Sequence, residues 1–581
     1  MKAIEKHIIL ILLALSPLGF ASCKDFLTED PKGQLATTTF FTSKNDLDAS
    51  LNALYLVVAE AQYANHHTGT NFTVGDDIST HPASNKQPLR EHDQFNVSDN
   101  NAWMPYLWTQ RWSIVKAANF VINNVDKTPE VTKEEIENAI AQARYWRAYS
   151  YFYMVTTWGP VPIMLGEEIN YESKPNSEQE IYDLIVEDLK YAEAHLPVMH
   201  SKEPYARGGV NIAVAQAAAK ATLGYVYMCI AGWPLNKTEY YKLAADKFKE
   251  VIDAVKNGTY KYSLLENYSD VYSWKYNNSN PEVLLGIYYN RDRTPNYSTV
   301  TDHLQDMKQA GWGDMNGEIK FWKDFPDGPR KEATYFPKIM LSDGNLYDWW
   351  YDTDPPSRAV VAPCFMKNVE GAKRGTEFDY KDPSPLSYTG EKQHQVLRLS
   401  EVYSLYAEAV GRSGSVNDLA VSVLNEVRNR ADGKQSNIYS TSMSPAELAE
   451  AGYNEHGWEI AGYCWGGLTS RARDMFRMYR YKDHFEFRKQ NPLIEVAPGV
   501  FRKEAVPVTG TWDDSKMYIP YPYDGCHLES KSEKIVWVKQ FFSLAGFSKL
   551  NIIFDSYEEN FLHHSSGFCC MFSFLLWRCC C

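Results

Sequence analysis

Three stretches of this sequence set flat aromatic rings beside groups that hydrogen-bond. "VGDDISTHPASNKQPLREHD" followed by "NNAWMPYLW" offers Asp76, Asp77, Arg90, Asn101 and Trp103. "QAGWGDMNGEIKFWKDF" offers Trp312 between two glycines and then Trp322, and "YDWWYDTD" offers Trp349, Trp350 and Tyr351 beside Asp348 and Asp352. Aromatic faces cover the C–H faces of a sugar ring, while carboxylates, amides and guanidinium groups bond its hydroxyls. A Trp between glycines is poorly shielded by its neighbours, so Trp312 is expected to stand as a ligand platform. For the other rings, core packing competes with that role.

Other chemistry finds less support. GxSxG, HExxH and P-loop patterns are missing. Glycoside hydrolysis needs two carboxylates about 5–9.5 Å apart, a separation no sequence displays, and among 73 acidic residues some pair always looks suitable. Asn65 to His67 lacks a third metal ligand at a useful spacing, and "DWWYDTD" lacks the glycine and distal glutamate of a calcium loop. Neither a metal nor a cofactor is expected. Arg144 and Arg147 lie in an aromatic helix, where ion pairing or packing over rings is the default role.

The loops need a frame. The chain has 581 residues, 44% of them hydrophobic, ample for a large core. Its formal charge of −14 lacks the basic footprint of a nucleic-acid binder. Aromatic residues make up 14%, more than a core needs. Apolar spacing predicts helices over 45–64, 103–125, 134–157, 178–195, 212–231, 239–256, 395–410 and 416–430. A further helical patch begins at Glu447, its most helical part being "RARDMFRMYRYKDHFEF", and "EVLLGIYY" reads as a strand. The return helices of two hairpins share a spacing, Ala244, Phe248, Val251 and Ala420, Leu424, Val427: a small residue followed by larger ones at plus four and plus seven, as in a tetratricopeptide second helix. The expected fold is mainly α, with tetratricopeptide-like helical hairpins as scaffold, long irregular loops and a few short strands.

At the N-terminus, Lys2 and Lys6 precede an apolar run from Ile8 to Leu18, too short to span a bilayer comfortably. Ala21 and Ser22 then lead to Cys23. This resembles the bacterial lipobox, in which the cysteine is acylated after cleavage; Phe20 departs from it, since Leu is usual there. Residues 1–22 are thus read as a lipoprotein signal peptide and Cys23 as the lipidation site. A plain secretory signal with an incidental cysteine is the alternative.

"CKDFLTEDPKG" with "TTTFFTSKNDLDASLNALY", "ARYWRAYSYFYMVTTWGPVPIM", "NPEVLLGIYY", "VLRLSEVYSLYAEAVGRSGSVNDLAVSVLNEVRNRA" and "MYIPYP" follow one another over some 500 residues. In that order they resemble the SusD/RagB family of nutrient-binding outer-membrane lipoproteins of Bacteroidetes. The resemblance implies a non-catalytic, lipid-anchored protein on the cell surface. It would capture glycans and deliver them to a SusC-like TonB-dependent barrel transporter. A protein-interaction scaffold without ligand and a helical glycoside hydrolase are the rival readings. Residues 23–523 are expected to form one domain, with a helical scaffold at 45–257 and 395–490 and a loop-rich ligand side at 258–394. Residues 524–581, where six of the ten cysteines crowd, depart from the family. They read as out-of-frame translation or a recent replacement.

Overall fold

The computed structural model describes residues 40–523, apart from 64–74, 81–86, 168–172, 202–204, 291–314, 341–342, 352–361, 368, 372, 383–389 and 463–467. Cys23, Trp312 and the tail from 524 lie outside the described residues, as do the signal segment and Asn65 to His67. Among the described residues, fourteen α-helices dominate, packed in pairs, with a few two-stranded sheets.

Helices α1 (Lys44–Tyr63), α2 (Gln87–Asp93), α3 (Met104–Asn124), α4 (Lys133–Trp158) and α5 (Glu178–His195) come first. Before α2, the short strand β1 spans Ile78–Thr80. Local chemistry sets the helix ends. Thr132 and Glu135 form a reciprocal capping box at the start of α4, as do Ser177 and Glu180 at α5. At the far end of α4, Gly159 takes a positive φ of 77° and Pro160 cannot extend the helix. Every residue of α4 from Tyr145 to Trp158 is buried, so its dense rings are core. Arg147 sits among them with both arms of its guanidinium on Asp188 at 2.8 Å, the ion pair its setting suggests.

After the β2 (Ala206–Arg207) and β3 (Val210–Asn211) ladder, α6 (Gln216–Ala231) and α7 (Tyr240–Lys256) form the first hairpin. Close approach is written into α6: a Cβ on Gly224 would lie 2.7 Å from the Phe248 ring of α7. Ala244, Phe248 and Val251 are fully buried, and so are Ala420, Leu424 and Val427 in the later hairpin. That hairpin consists of α10 (Leu399–Arg412) and α11 (Asp418–Asp432). Against α10 packs α12 (Pro445–Ile460), followed by α13 (Arg471–Arg477) and α14 (Tyr481–Gln490). Between the two hairpins lie β4 (Val283–Ile287), β5 (Met315–Gly317), α8 (Ile319–Asp324), α9 (Pro329–Thr334), β6 (Ile339–Met340), β7 (Leu346–Tyr347) and β8 (His394–Arg398). The strands β9 (Ile494–Ala497) and β10 (Val500–Arg502) close the order.

Two expectations are corrected. Residues 395–398 belong to strand β8, antiparallel to β4, and not to the helix that follows. All five β8 residues are buried, so no polar–apolar alternation marks the strand in sequence. The run from Arg471 to Phe487 is two helices: Tyr479, with φ of 53°, turns the chain between α13 and α14.

A buried ionic knot joins the segment between the hairpins to the helices. Glu459 of α12 lies 2.9 Å from Arg330, 3.1 Å from Arg398 and 2.8 Å from Arg430. Glu282 meets Arg398 at 3.1 Å and Arg430 at 2.5 Å, and Glu455 meets Arg330 at 2.8 Å. Three guanidinium groups hold the Glu459 carboxyl well below the usual carboxylate range despite its burial. Removing one member would leave buried charge uncompensated.

Candidate functional site

Trp322, Trp349 and Trp350 form a compact cluster on the segment between the hairpins. Helix α8 carries Trp322. Its start is fixed where the Ile319 amide donates to Glu504 Oε1 at 2.6 Å, while Ile319 and Phe321 are buried. Strands β6 and β7 pair antiparallel, Ile339 with Tyr347 and Met340 with Leu346, and lead the chain into Trp349 and Trp350. Asp343 braces the approach, accepting from the Asn345 amide at 2.8 Å and the Tyr347 hydroxyl at 2.6 Å. Lys338 pairs with Asp348 at 2.6 Å.

The ring centroids of Trp322 and Trp349 are 5.3 Å apart, and those of Trp322 and Trp350 are 5.5 Å apart. Trp349 and Trp350 stand edge to face at 5.5 Å. Trp349, 4% exposed, is the buried root of the cluster, with Ile319, Phe336, Ile339 and Val496 around it in one apolar group. Trp322 and Trp350 are half-buried. Next to Trp350, Tyr351 is 47% exposed and stacks on Tyr347 at 4.6 Å. Two basic groups steady the rings. Lys331 Nζ lies 4.5 Å from the Trp322 centroid, and Arg502 donates to the backbone carbonyl of Trp350 and, at 2.7 Å, to that of Phe501. This arrangement offers partly open rings on a rigid root, with hydroxyl and carboxylate groups alongside, a surface suited to stacking and hydrogen bonding.

The remaining candidate residues are dispersed. Asp76 makes a bidentate pair with Arg471, both distances 2.7 Å, which holds its carboxyl below the ordinary range although it is half-buried. Asp77 is buried and accepts from the Gly462 amide at 2.9 Å; desolvation pushes its carboxyl up to about 7. Asn101 is buried, donating to the Pro88 carbonyl and to Glu91 and accepting from the Trp103 amide. Trp103 packs with Ile78, Leu89 and Phe325 in the interior. These four residues serve the fold: local packing and pairing claim the rings and polar atoms that a ligand would need. Arg90 is half-buried on α2. Trp322, Trp350 and Tyr351 are brought together, with Trp349 beneath them. Sequence reasoning missed Tyr347, whose spacing of four from Tyr351 was the available signal. It also missed Lys331, on the short helix that follows Trp322, and Arg502, which is remote in sequence. Among the described residues no cluster of three His, Cys, Asp or Glu could hold a metal ion, and no helix is long and apolar enough to cross a membrane.

Paired helices of tetratricopeptide type form the scaffold that carries these aromatic rings. Residues 25–228 match a family described as "Starch-binding associating with outer membrane", and residues 367–524 match the SusD family. The chain belongs to the SusD/RagB family, whose members are non-catalytic binding proteins associated with the outer membrane. It is 27% identical over 481 residues to a SusD-like protein of Bacteroides ovatus, covering 77% of this chain and 81% of that one. Its fold is similar to the crystal structure of a SusD homolog from Bacteroides thetaiotaomicron, with TM-score 0.68, 18% identity and coverage of 86% and 98%. It is also similar to a crystal structure with xylogluco-oligosaccharide, with TM-score 0.62, 22% identity and coverage of 82% and 96%.

Proposed function

We propose that this protein is a cell-surface lipoprotein that captures oligosaccharides on the Trp322–Trp350–Tyr351 surface and hands them to a SusC-like TonB-dependent barrel. Cys23 is the acylated anchor residue in this reading, and residues 23–523 act as one binding body. The carrying observation is the aromatic cluster: partly open rings on a buried root, in a chain whose family is described as starch-binding. Stacking supplies affinity, the flanking polar groups supply orientation, and no bond in the sugar is broken. Trp312, seven residues before Ile319 in sequence, is proposed as a further ring of the same surface.

Isothermal titration with xylogluco-oligosaccharides, β-glucan fragments and starch oligosaccharides tests the binding step. Saturable binding, weakened in Trp350→Ala and without new reducing ends, is the expected result. Reducing ends that accumulate would favour a hydrolase. Silence across the whole panel, with a barrel still captured by cross-linking, would favour an interaction scaffold. Labelled palmitate should enter the mature chain and be lost in Cys23→Ala.

A further inference from the structure

We propose that the interior of the helical scaffold holds a small inorganic anion, of the halide class, at Arg111 between α1, α3 and α4. Arg111 is 0% exposed. Its Nη2 donates to the Ala61 carbonyl at 3.3 Å, and its guanidinium carbon lies 3.8 Å from the Tyr153 ring centroid. Nε and Nη1 are buried and, among the described residues, meet no hydrogen-bond acceptor.

Seven other buried arginines of the fold show the usual arrangement, while Arg473 donates to Thr156 Oγ1 and the Leu468 carbonyl. Arg147 faces Asp188, Arg471 faces Asp76, Arg477 faces Glu408 and Arg488 faces Asp93, at 2.7–2.8 Å. Arg330, Arg398 and Arg430 share the glutamates of the ionic knot. Among the described residues, no carboxylate pairs with Arg111. A guanidinium cannot shed its proton to escape this position, and an unpaired buried charge is among the costliest things a fold can contain. Its carbonyl and ring contacts are partial remedies: a carbonyl in the last turn of α1 and the negative face of Tyr153. Arg473 places a second guanidinium 5.7 Å from the same Tyr153 centroid, so positive charge accumulates here. Glu60, next to Ala61, makes no hydrogen bond or ion pair with Arg111 among the described residues, and burial pushes its carboxyl up to about 7.

The chemistry of the vicinity selects the guest. Two open N–H donors beside an aromatic wall suit a monoatomic, weakly hydrated anion. A phosphate or sulfate would need more donors than Arg111 has left.

Thermal unfolding of the full mature chain is followed at constant ionic strength while potassium gluconate is replaced by potassium chloride. A specific site raises the melting temperature by about 2 °C or more, in a saturable manner. Arg111→Met abolishes that chloride dependence. A melting temperature indifferent to the exchange overturns the proposal. Should Arg111→Met fail to fold, crystals of the unaltered protein soaked in bromide decide the matter. An anomalous peak within about 3.5 Å of Arg111 Nε or Nη1 supports the site. A water there, with bromide only on the surface, sinks it.

Discussion

Helix α4 and the segment around Trp350 are both crowded with rings, and they use them in opposite ways. In α4, Tyr145, Trp146, Tyr149, Tyr151, Phe152 and Tyr153 face neighbours on every side, and none is left to solvent. Around Trp350, one Trp is sunk as a root while Trp322, Trp350, Tyr347 and Tyr351 keep part of their faces open. The lesson is that aromatic density does not locate a binding surface. What distinguishes the two regions is whether secondary structure can wrap the ring: a helix between α1, α3 and α5 can, and a short strand pair that ends at Tyr347 cannot.

The sharpest way to break this contrast is to cut each region at its root. Trp146→Ala, in the wrapped region, should cost about 3–5 kcal/mol of stability by denaturant titration. Glu459→Ala should cost a similar ~3–5 kcal/mol, because three buried guanidinium groups lose their shared counter-ion. Were Glu459→Ala tolerated with less than about 1 kcal/mol of loss, the knot would not be what joins the segment between the hairpins to the scaffold.

A second test uses pH. Burial raises the Glu504 carboxyl, which receives the Ile319 amide at the start of α8, to about 7. Its folded pKa exceeds the ordinary value, so its stabilising share is complete below about pH 4.5 and is lost as pH rises through 7. Asp77 acts in the same sense. Glu504→Gln should therefore flatten the fall in stability between pH 5 and 8 by about 1–3 kcal/mol. An unchanged slope would show that Glu504 is ionised in the fold at neutral pH.

Smaller effects sharpen the open region. Trp350→Ala should weaken oligosaccharide binding about tenfold, ~1.4 kcal/mol, and Tyr351→Ala less. Stability in Tyr351→Ala should stay within about 0.5 kcal/mol, because the ring is nearly half exposed. The capping residue Ser444 starts α12, which carries none of these rings. Ser444→Ala should cost about 1 kcal/mol of stability and leave affinity untouched.

Much of the scaffold was legible because helical periodicity is a local signal. Ala244, Phe248 and Val251 announce the buried face of α7, and Gly159–Pro160 announces the end of α4. Strand β8 was not legible. Val396 and Leu397 sit in a run whose apolar spacing fits a helix equally well, and only its pairing with Val283–Ile287 decides the matter. The ionic knot was invisible for another reason: Glu282, Arg330, Arg398, Arg430 and Glu459 each look like ordinary surface charge until the fold assembles them. Of the proposed site, the residue types were readable but their exposure was not. Trp349 and Trp350 are identical neighbours in sequence, yet one is interior and the other is partly open.

Arg502 holds residue 350 by its main-chain oxygen, not by its indole. Any amino acid installed at that position would be gripped in the same place. The frame therefore works like a tool holder: the bit can be swapped while the clamp stays as it is, and under the proposed function the preferred saccharide would change with it.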